Sequence, residues 1–181
     1  MNDGLIPRRY AKALYKFAFE KGHDATVYRL MTDLCANFAA QPALQSTMAN
    51  PFVTDRAKQQ LVVTACGLSK PDKVLADFLH MLADNKRLPM LYSIALAYLD
   101  TYRHAHNIHQ VTVTSAVALD KAIQKRITDV IQKQIGPDGS MEYSSIVDPD
   151  IIGGFIVAID NDRLDASIAT ELKQLKLNLL Q

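Results

Sequence analysis

Cysteine is scarce: Cys35 and Cys66 are the only two in 181 residues. That is too few for a disulfide scaffold, and a reducing, cytosolic environment is expected. Glycine and proline are equally sparse, at seven each, which excludes fibrous and low-complexity disordered chains. A surplus of one charge is also missing. Twenty Lys and Arg against nineteen Asp and Glu leave a formal net charge of +1, without the broad positive field that drives nucleic-acid binding. No apolar run is long enough to span a bilayer. Residues 88–99 are charge-free but include Pro89, Tyr92, Ser93 and Tyr98, and fall well short of the ~20 apolar residues required. Membrane association is therefore expected only through partners. Nothing at the N-terminus reads as a secretory signal, and Arg8-Arg9 is followed by Lys12 and Lys16 where a twin-arginine signal needs an apolar core.

What is present suits a soluble globular protein, with 49% apolar and 22% charged residues, in one ordinary domain or two small ones. Apolar residues recur at helical spacing through the first hundred positions. Tyr10, Ala13, Leu14, Phe17 and Ala18 mark a first helix. Asp24 is read as the N-cap of a second, which carries Val27, Leu30, Met31, Leu34, Cys35 and Phe38 and would point Cys35 inward. A short third helix from Pro42 is expected to end at Asn50-Pro51. Thr54 would cap a fourth, stopped by Gly67, and Ser69 a fifth with Pro71 in its first turn. A sixth would begin near Pro89.

The period then changes. Val111, Val113, Ser115 and Val117 alternate with Thr112, Thr114 and Ala116, as in a half-buried strand. Asp120 would cap a helix holding Ile123, Ile127, Val130 and Ile131, and the turn residues from Gly136 through Pro137 and Asp138 to Gly139 would lead into a strand near 141–147. A further strand is expected over 155–159, then a short extended piece at Arg163-Leu164, then a closing helix with Ile168, Leu172, Leu175 and Leu179 in register. The fold class is thus mainly α, a six-helix N-terminal bundle over 1–106 followed by a small α/β domain over 107–181.

Catalytic constellations are absent from the pattern. There is no G-x-S-x-G elbow, no H-E-x-x-H pair, and no activator beside either cysteine. On one helix His104, His106 and His109 would point about 200° and 140° apart, which suits no metal. Asp148, Asp150, Asp160, Asp162 and Asp165 lack the spacing of a calcium loop and read as turn and cap residues. Gly153-Gly154 lacks the lysine and following helix of a phosphate loop, and reads instead as a bend or close backbone approach after a turn at Asp148-Pro149. No catalytic, cofactor-binding or metal-binding residues are expected, and no small-molecule substrate.

Two helices carry more apolar surface than a small core needs. The first shows two stripes, Tyr10/Ala13/Phe17 and Ala11/Leu14/Ala18; the fifth shows Val74/Phe78/Met81 beside Leu75/Leu79/Leu82. The second stripes either bury in a central helix or form a groove for an amphipathic helix from a partner.

Three segments carry a family resemblance: residues 9–14 (Arg-Tyr-Ala-Lys-Ala-Leu), residues 82–88 (Leu-Ala-Asp-Asn-Lys-Arg-Leu), and residues 147–155 (Val-Asp-Pro-Asp-Ile-Ile-Gly-Gly-Phe) with Asp165-Ala166-Ser167-Ile168 after them. Together they resemble the delta subunit of F-type ATP synthases, called OSCP in mitochondria. The resemblance implies a non-catalytic stator subunit of a proton-translocating complex. Its N-terminal domain would grip N-terminal helices of the alpha subunits, and its C-terminal domain would hold the peripheral-stalk b subunits. It implies alpha-helix contacts at Tyr10 and Ala13 on the first helix and at Met81 and Phe78 on the fifth, with Phe17 on the same stripe. No arginine- and serine-rich transit segment precedes the first helix, so a bacterial form, peripheral at the cytoplasmic face of the inner membrane, is expected. A general helical adaptor for an unrelated amphipathic helix shares the same sequence physics, and a small enzyme with its site near 148–165 is the third reading.

Overall fold

The computed structural model describes residues 4–67, 72–136 and 139–179. Ser69, Pro71, Pro137 and Asp138, to which the sequence assigns cap and turn roles, lie outside them. The fold is mainly helical with a small C-terminal four-stranded sheet, in two compact units, residues 1–102 and 103–181.

In the first unit, α1 (Leu5–Glu20) and α2 (Asp24–Ala40) are followed by α3 (Pro42–Ala49), α4 (Asp55–Ala65), α5 (Lys73–Asp84) and α6 (Leu91–Ala105). Local chemistry sets most boundaries. Pro42 opens α3 because its fixed φ and missing N–H suit a first turn. The Thr54 hydroxyl accepts from the Ala57 N–H at 3.4 Å, and Gly67, at φ +68°, ends α4. α5 is capped by Asp72, whose carboxylate accepts from the Val74 and Leu75 N–H groups. Asp24 is the first helical residue of α2, preceded by His23 at the N-cap, whose side chain makes no cap bond. A 3-10 turn at Leu88–Met90 carries Pro89 ahead of α6.

The core of this unit is built from the inward stripes, with Leu14, Val27, Met31, Leu34, Leu75, Leu82 and Ile94 fully buried. Tyr98 is buried among them and donates its hydroxyl to the Asp24 carbonyl at 3.2 Å. Burial raises its phenol above the ordinary range, so it stays a neutral donor. Tyr15 packs tilted on Tyr98 and edge to face on Tyr102, and Tyr28 stacks on Tyr102 at 4.2 Å, joining α1, α2 and α6. Cys35, expected to point inward, is only half-buried, whereas Cys66 is buried with its thiol aimed at the Leu30 carbonyl. Burial, with the nearby Asp33 carboxylate, pushes the Cys66 thiol up to about 12, which makes it chemically inert.

The second unit holds β1 (Ile108–Ser115), α7 (Lys121–Ile135), β2 (Ser140–Val147), β3 (Gly154–Ile159), β4 (Asp162–Ser167) and α8 (Ile168–Leu179). The sheet order is β2-β1-β3-β4. β1 runs parallel to β2 through the α7 crossover and antiparallel to β3, which pairs antiparallel with β4. Strand alternation puts Val111, Val113 and Val157 on the face that Ile131 of α7 covers. Val117, which continues the alternation in sequence, lies beyond the end of β1 and is exposed. Arg163-Leu164 belongs to a six-residue strand, because the register of β4 on β3 extends its pairing from Asp162 to Ser167.

The stretch 147–154 is a junction. The Asp148 carboxylate accepts from the Asp150 N–H at 3.0 Å, and a single 3-10 turn, Pro149–Ile151, follows. The Gly153 carbonyl accepts from the Ile168 N–H at 3.0 Å, tying the start of α8 to this turn. Gly153 lies against Ile168, and Gly154, at φ +74°, approaches the Ala166 carbonyl so closely that a Cβ there would collide with backbone. At the same junction the Asp165 carboxylate accepts from the Ser167 hydroxyl at 2.6 Å, the Ser167 N–H at 3.0 Å and the Thr170 hydroxyl at 3.2 Å.

Gly154→Ala combines left-handed strain, of order 1–3 kcal/mol, with a backbone collision. In chemical denaturation it should destabilise the chain clearly more than Gly22→Ala, which has φ +68° but open space around it. Equal losses would remove the close-approach explanation.

The bonds from Ser167, then Thr170 and Arg163, hold the Asp165 carboxyl below its usual range. A depressed folded pKa stabilises the fold above the unfolded carboxylate pKa, and that contribution is lost as pH falls through the folded value. NMR titration should show Asp165 titrating below ordinary aspartate, with the α8 junction loosening only on its acid side; Asp165→Asn should abolish that transition.

Candidate functional site

α1 and α5 pack against each other. The α1 side turned to the core is Pro7, Ala11, Leu14 and Ala18, a spacing of one or two helical turns. On α5 the buried face is broader, with Val74, Leu75, Phe78, Leu79 and Leu82. The two helices present their outer flanks side by side. Between them lies an apolar groove of roughly 300 Å³, lined by Ala13, Leu14, Phe17, Asp77, Phe78 and Met81.

Four of the five residues singled out from sequence meet here. Ala13 is exposed, Phe17 half-buried and Met81 37% exposed, so these three offer surface to a partner. Phe78 is only 5% exposed; it forms the groove floor and belongs mainly to the core. Tyr10 is half-buried one turn before Ala13 on the same flank and is not among the lining residues. The sequence reading missed Asp77. Helical spacing could have found it, because Asp77 and Met81 are four residues apart and share an edge of α5. The Lys21 ammonium sits 5.9 Å from the centre of the Phe17 ring. An apolar trough with one carboxylate on its rim can accept apolar side chains and a nearby cation; it holds no nucleophile beside a base.

The polar clusters have structural duties. His109 meets the Asp160 carboxylate at 2.6 Å, and Asp160 also accepts from the Gln110 N–H. Burial opposes ionisation of Asp160, but these bonds outweigh it and hold its carboxyl below the usual range. Asp148 and Asp165 serve the turn and helix start described above. Among the described residues no group of three or more His, Cys, Asp or Glu is placed to hold a metal ion. Among the same residues no helix is long and apolar enough to cross a membrane.

Residues 6–179 match the family model for the ATP synthase delta (OSCP) subunit. The chain belongs to this family. It is similar to ATP synthase subunit delta of Parabacteroides distasonis, 35% identical over 181 residues, covering 100% of this chain and 99% of that one. It is also 36% identical over 177 residues to the Bacteroides thetaiotaomicron subunit delta, covering 97% and 94%. Its fold resembles a chain of the Toxoplasma gondii mitochondrial ATP synthase hexamer, with TM-score 0.72, 24% identity and 97% of each chain covered. As a delta/OSCP member it is a non-catalytic component of the F-type ATP synthase stator, in the peripheral stalk of a membrane-bound complex. Membership disfavours the readings as a general adaptor and as a small enzyme.

Burial separates packing residues from contact residues in the groove. Phe78→Ala should cost about 3–5 kcal/mol of stability, the usual loss for a buried aromatic, whereas Met81→Ala should cost under about 1. Urea denaturation of both variants tests this, and similar losses would mean that Met81 is a core residue.

Proposed function

We propose that residues 1–106 act as one six-helix domain whose α1/α5 groove receives an amphipathic N-terminal helix of an alpha subunit, and that residues 107–181 hold the stalk b subunits. The chain would thereby couple the catalytic head to the membrane-anchored stalk and resist rotor torque. The observation that supports the first attachment is the convergence of Ala13, Phe17, Phe78 and Met81 on one open groove.

Each residue type suits the task. The Ala13 methyl lets a guest helix approach closely, the Phe17 ring and Phe78 floor receive aliphatic side chains, and the flexible Met81 thioether adapts its shape. Tyr10 extends the contact by one turn with an apolar ring and a polar tip. Asp77 favours a guest helix with a lysine or arginine beside its apolar stripe. About five guest side chains buried at ~1.5–3 kcal/mol each give a gross ~8–15 kcal/mol, against association costs of ~4–15. One groove alone therefore holds weakly. Attachment through both units suits a stator better, because simultaneous contacts slow dissociation without any single strong site. We place the complex at the cytoplasmic face of a bacterial inner membrane, with protons as the coupling ion.

Ala13→Asp puts a carboxylate into the groove without touching the core. Titration calorimetry with an alpha N-terminal peptide should show binding weakened at least tenfold, since a desolvated unpaired charge costs more than ~1.4 kcal/mol. Helical content should be unchanged. Unaltered affinity would place the alpha site elsewhere, and failure of the untagged protein to co-purify from membranes with alpha, beta and b subunits would sink the stator assignment.

A further inference from the structure

α1 and α5 run antiparallel beside the groove. The His23 imidazole, just past the end of α1, lies 3.5 Å from the Asp72 carboxylate that caps the start of α5. Phe17 therefore stands level with Asp77 and Phe78, and Ala13 level with Met81, across the same groove. Helical spacing assigns the outer edge of each helix. Arg9, Ala13 and Lys16 fall at i, i+4 and i+7 on α1, and Asp77, Met81 and Asp84 at i, i+4 and i+7 on α5; all six are exposed. The two lips of the groove thus carry opposite signs, cations on α1 and carboxylates on α5.

The neighbouring charges leave that polarity in place. Lys12 adds to the α1 side, and His80 lies further round α5. At the His23 end Glu20 stands beside Lys21 on α1 and Lys73 beside Asp72 on α5, so each lip is locally balanced; at the other end Lys86 follows Asp84 in the turn after α5. The middle, where Lys16 and Asp77 stand on either side of Phe17, keeps unlike charges on its two lips. Among the described residues no salt bridge engages Arg9, Lys16, Asp77 or Asp84, so these charges face a partner without a competing ion pair. An amphipathic helix laid in the groove presents a polar edge to each lip, and reversing its direction exchanges the two edges.

We propose that the charged lips fix the direction in which the guest helix lies: it seats with a cationic edge against Asp77 and Asp84 and an acidic edge against Lys16 and Arg9, and the reversed helix is rejected. This rests on the reading that the groove receives an alpha-subunit N-terminal helix, and adds that helix's charge pattern and polarity. The apolar floor alone cannot choose, because a row of apolar side chains offers much the same contact from either end. Reversal leaves the apolar stripe in place but sets like charges against both lips.

The test titrates the full chain with a peptide of the organism's own alpha N-terminus at low and moderate salt, and a spin label on the first residue of that peptide reports by NMR which end of α1 it approaches. Wild-type binding should weaken as salt rises, and line broadening should be confined to one end of α1. Lys16→Glu and Asp77→Lys should each weaken binding about two- to fivefold. The double exchange should weaken it further or carry the broadening to the opposite end of α1. Both positions are exposed, and circular dichroism of each variant checks the fold. Wild-type affinity in both single variants, or broadening at both ends of α1 in the wild-type chain, would overturn the direction-setting lips and spare the groove. Unaltered binding by Ala13→Asp, or no binding by the wild-type chain, would overturn the groove reading and this proposal with it.

Discussion

α1 packs against α5; the buried face of α1 is made mostly of small residues and that of α5 of large ones, and the groove lies along this packing. Ala11 and Ala18 are completely buried, with Leu14 between them, while α5 contributes Leu75, Leu79 and Leu82. Small residues let the helix axes come close, and close axes bring the outer flanks within reach of one guest helix. A bulkier stripe on α1 would fill the same core but spread the flanks. The exposed Ala13 follows the same logic one face further round: the position that would admit a partner helix is again the smallest side chain available.

Helical periodicity alone carries much of this. The doubled stripes single out α1 and α5, because two adjacent apolar stripes make an arc wider than the one face a small core needs. Periodicity could not say which stripe was outward on each. On α1 the whole stripe Tyr10/Ala13/Phe17 lies outside the fully buried set; on α5 only Met81 of Val74/Phe78/Met81 does. The difference arises because α5 is surrounded more completely than α1, a tertiary fact invisible to a helical wheel. Ser69, which lies outside the described residues, and Asp72 are both competent caps in sequence, and the geometry aims the Asp72 carboxylate at the Val74 and Leu75 N–H groups.

In the second unit the alternation of Val111, Val113 and Ser115 announced a strand but not its end, since Val117 keeps the pattern after the hydrogen-bonded ladder has stopped. The full length of β4 is harder to read, because Asp162, Arg163 and Asp165 leave only a short extended piece visible in sequence. Arg163 and Asp165 alternate with Asp162 and Leu164 across the strand and all of them pair with β3, so their extended shape is imposed by the neighbour and not by propensity. Gly153 and Gly154 were correctly expected to bend or approach closely. The structure adds the neighbours, Ile168 for one and the Ala166 carbonyl for the other.

These two glycines also explain why a non-catalytic segment can carry so specific a pattern. The Gly153 carbonyl accepts the first N–H of α8, Gly154 opens β3 against Ser167, and Asp165 gathers Ser167 and Thr170 at the helix start. Three elements therefore meet here: a side chain at Gly154 would collide with the Ala166 backbone and shift a strand, whereas one at Gly153 would press on the end of the Ile168 side chain. Aspartate, proline and paired glycines in this order are what such a junction demands of the chain. The stretch that carries the family resemblance thus meets a packing constraint of the second unit, while the surface proposed to bind a partner, the α1/α5 groove, is made of ordinary apolar residues whose role depends on where the fold leaves them uncovered.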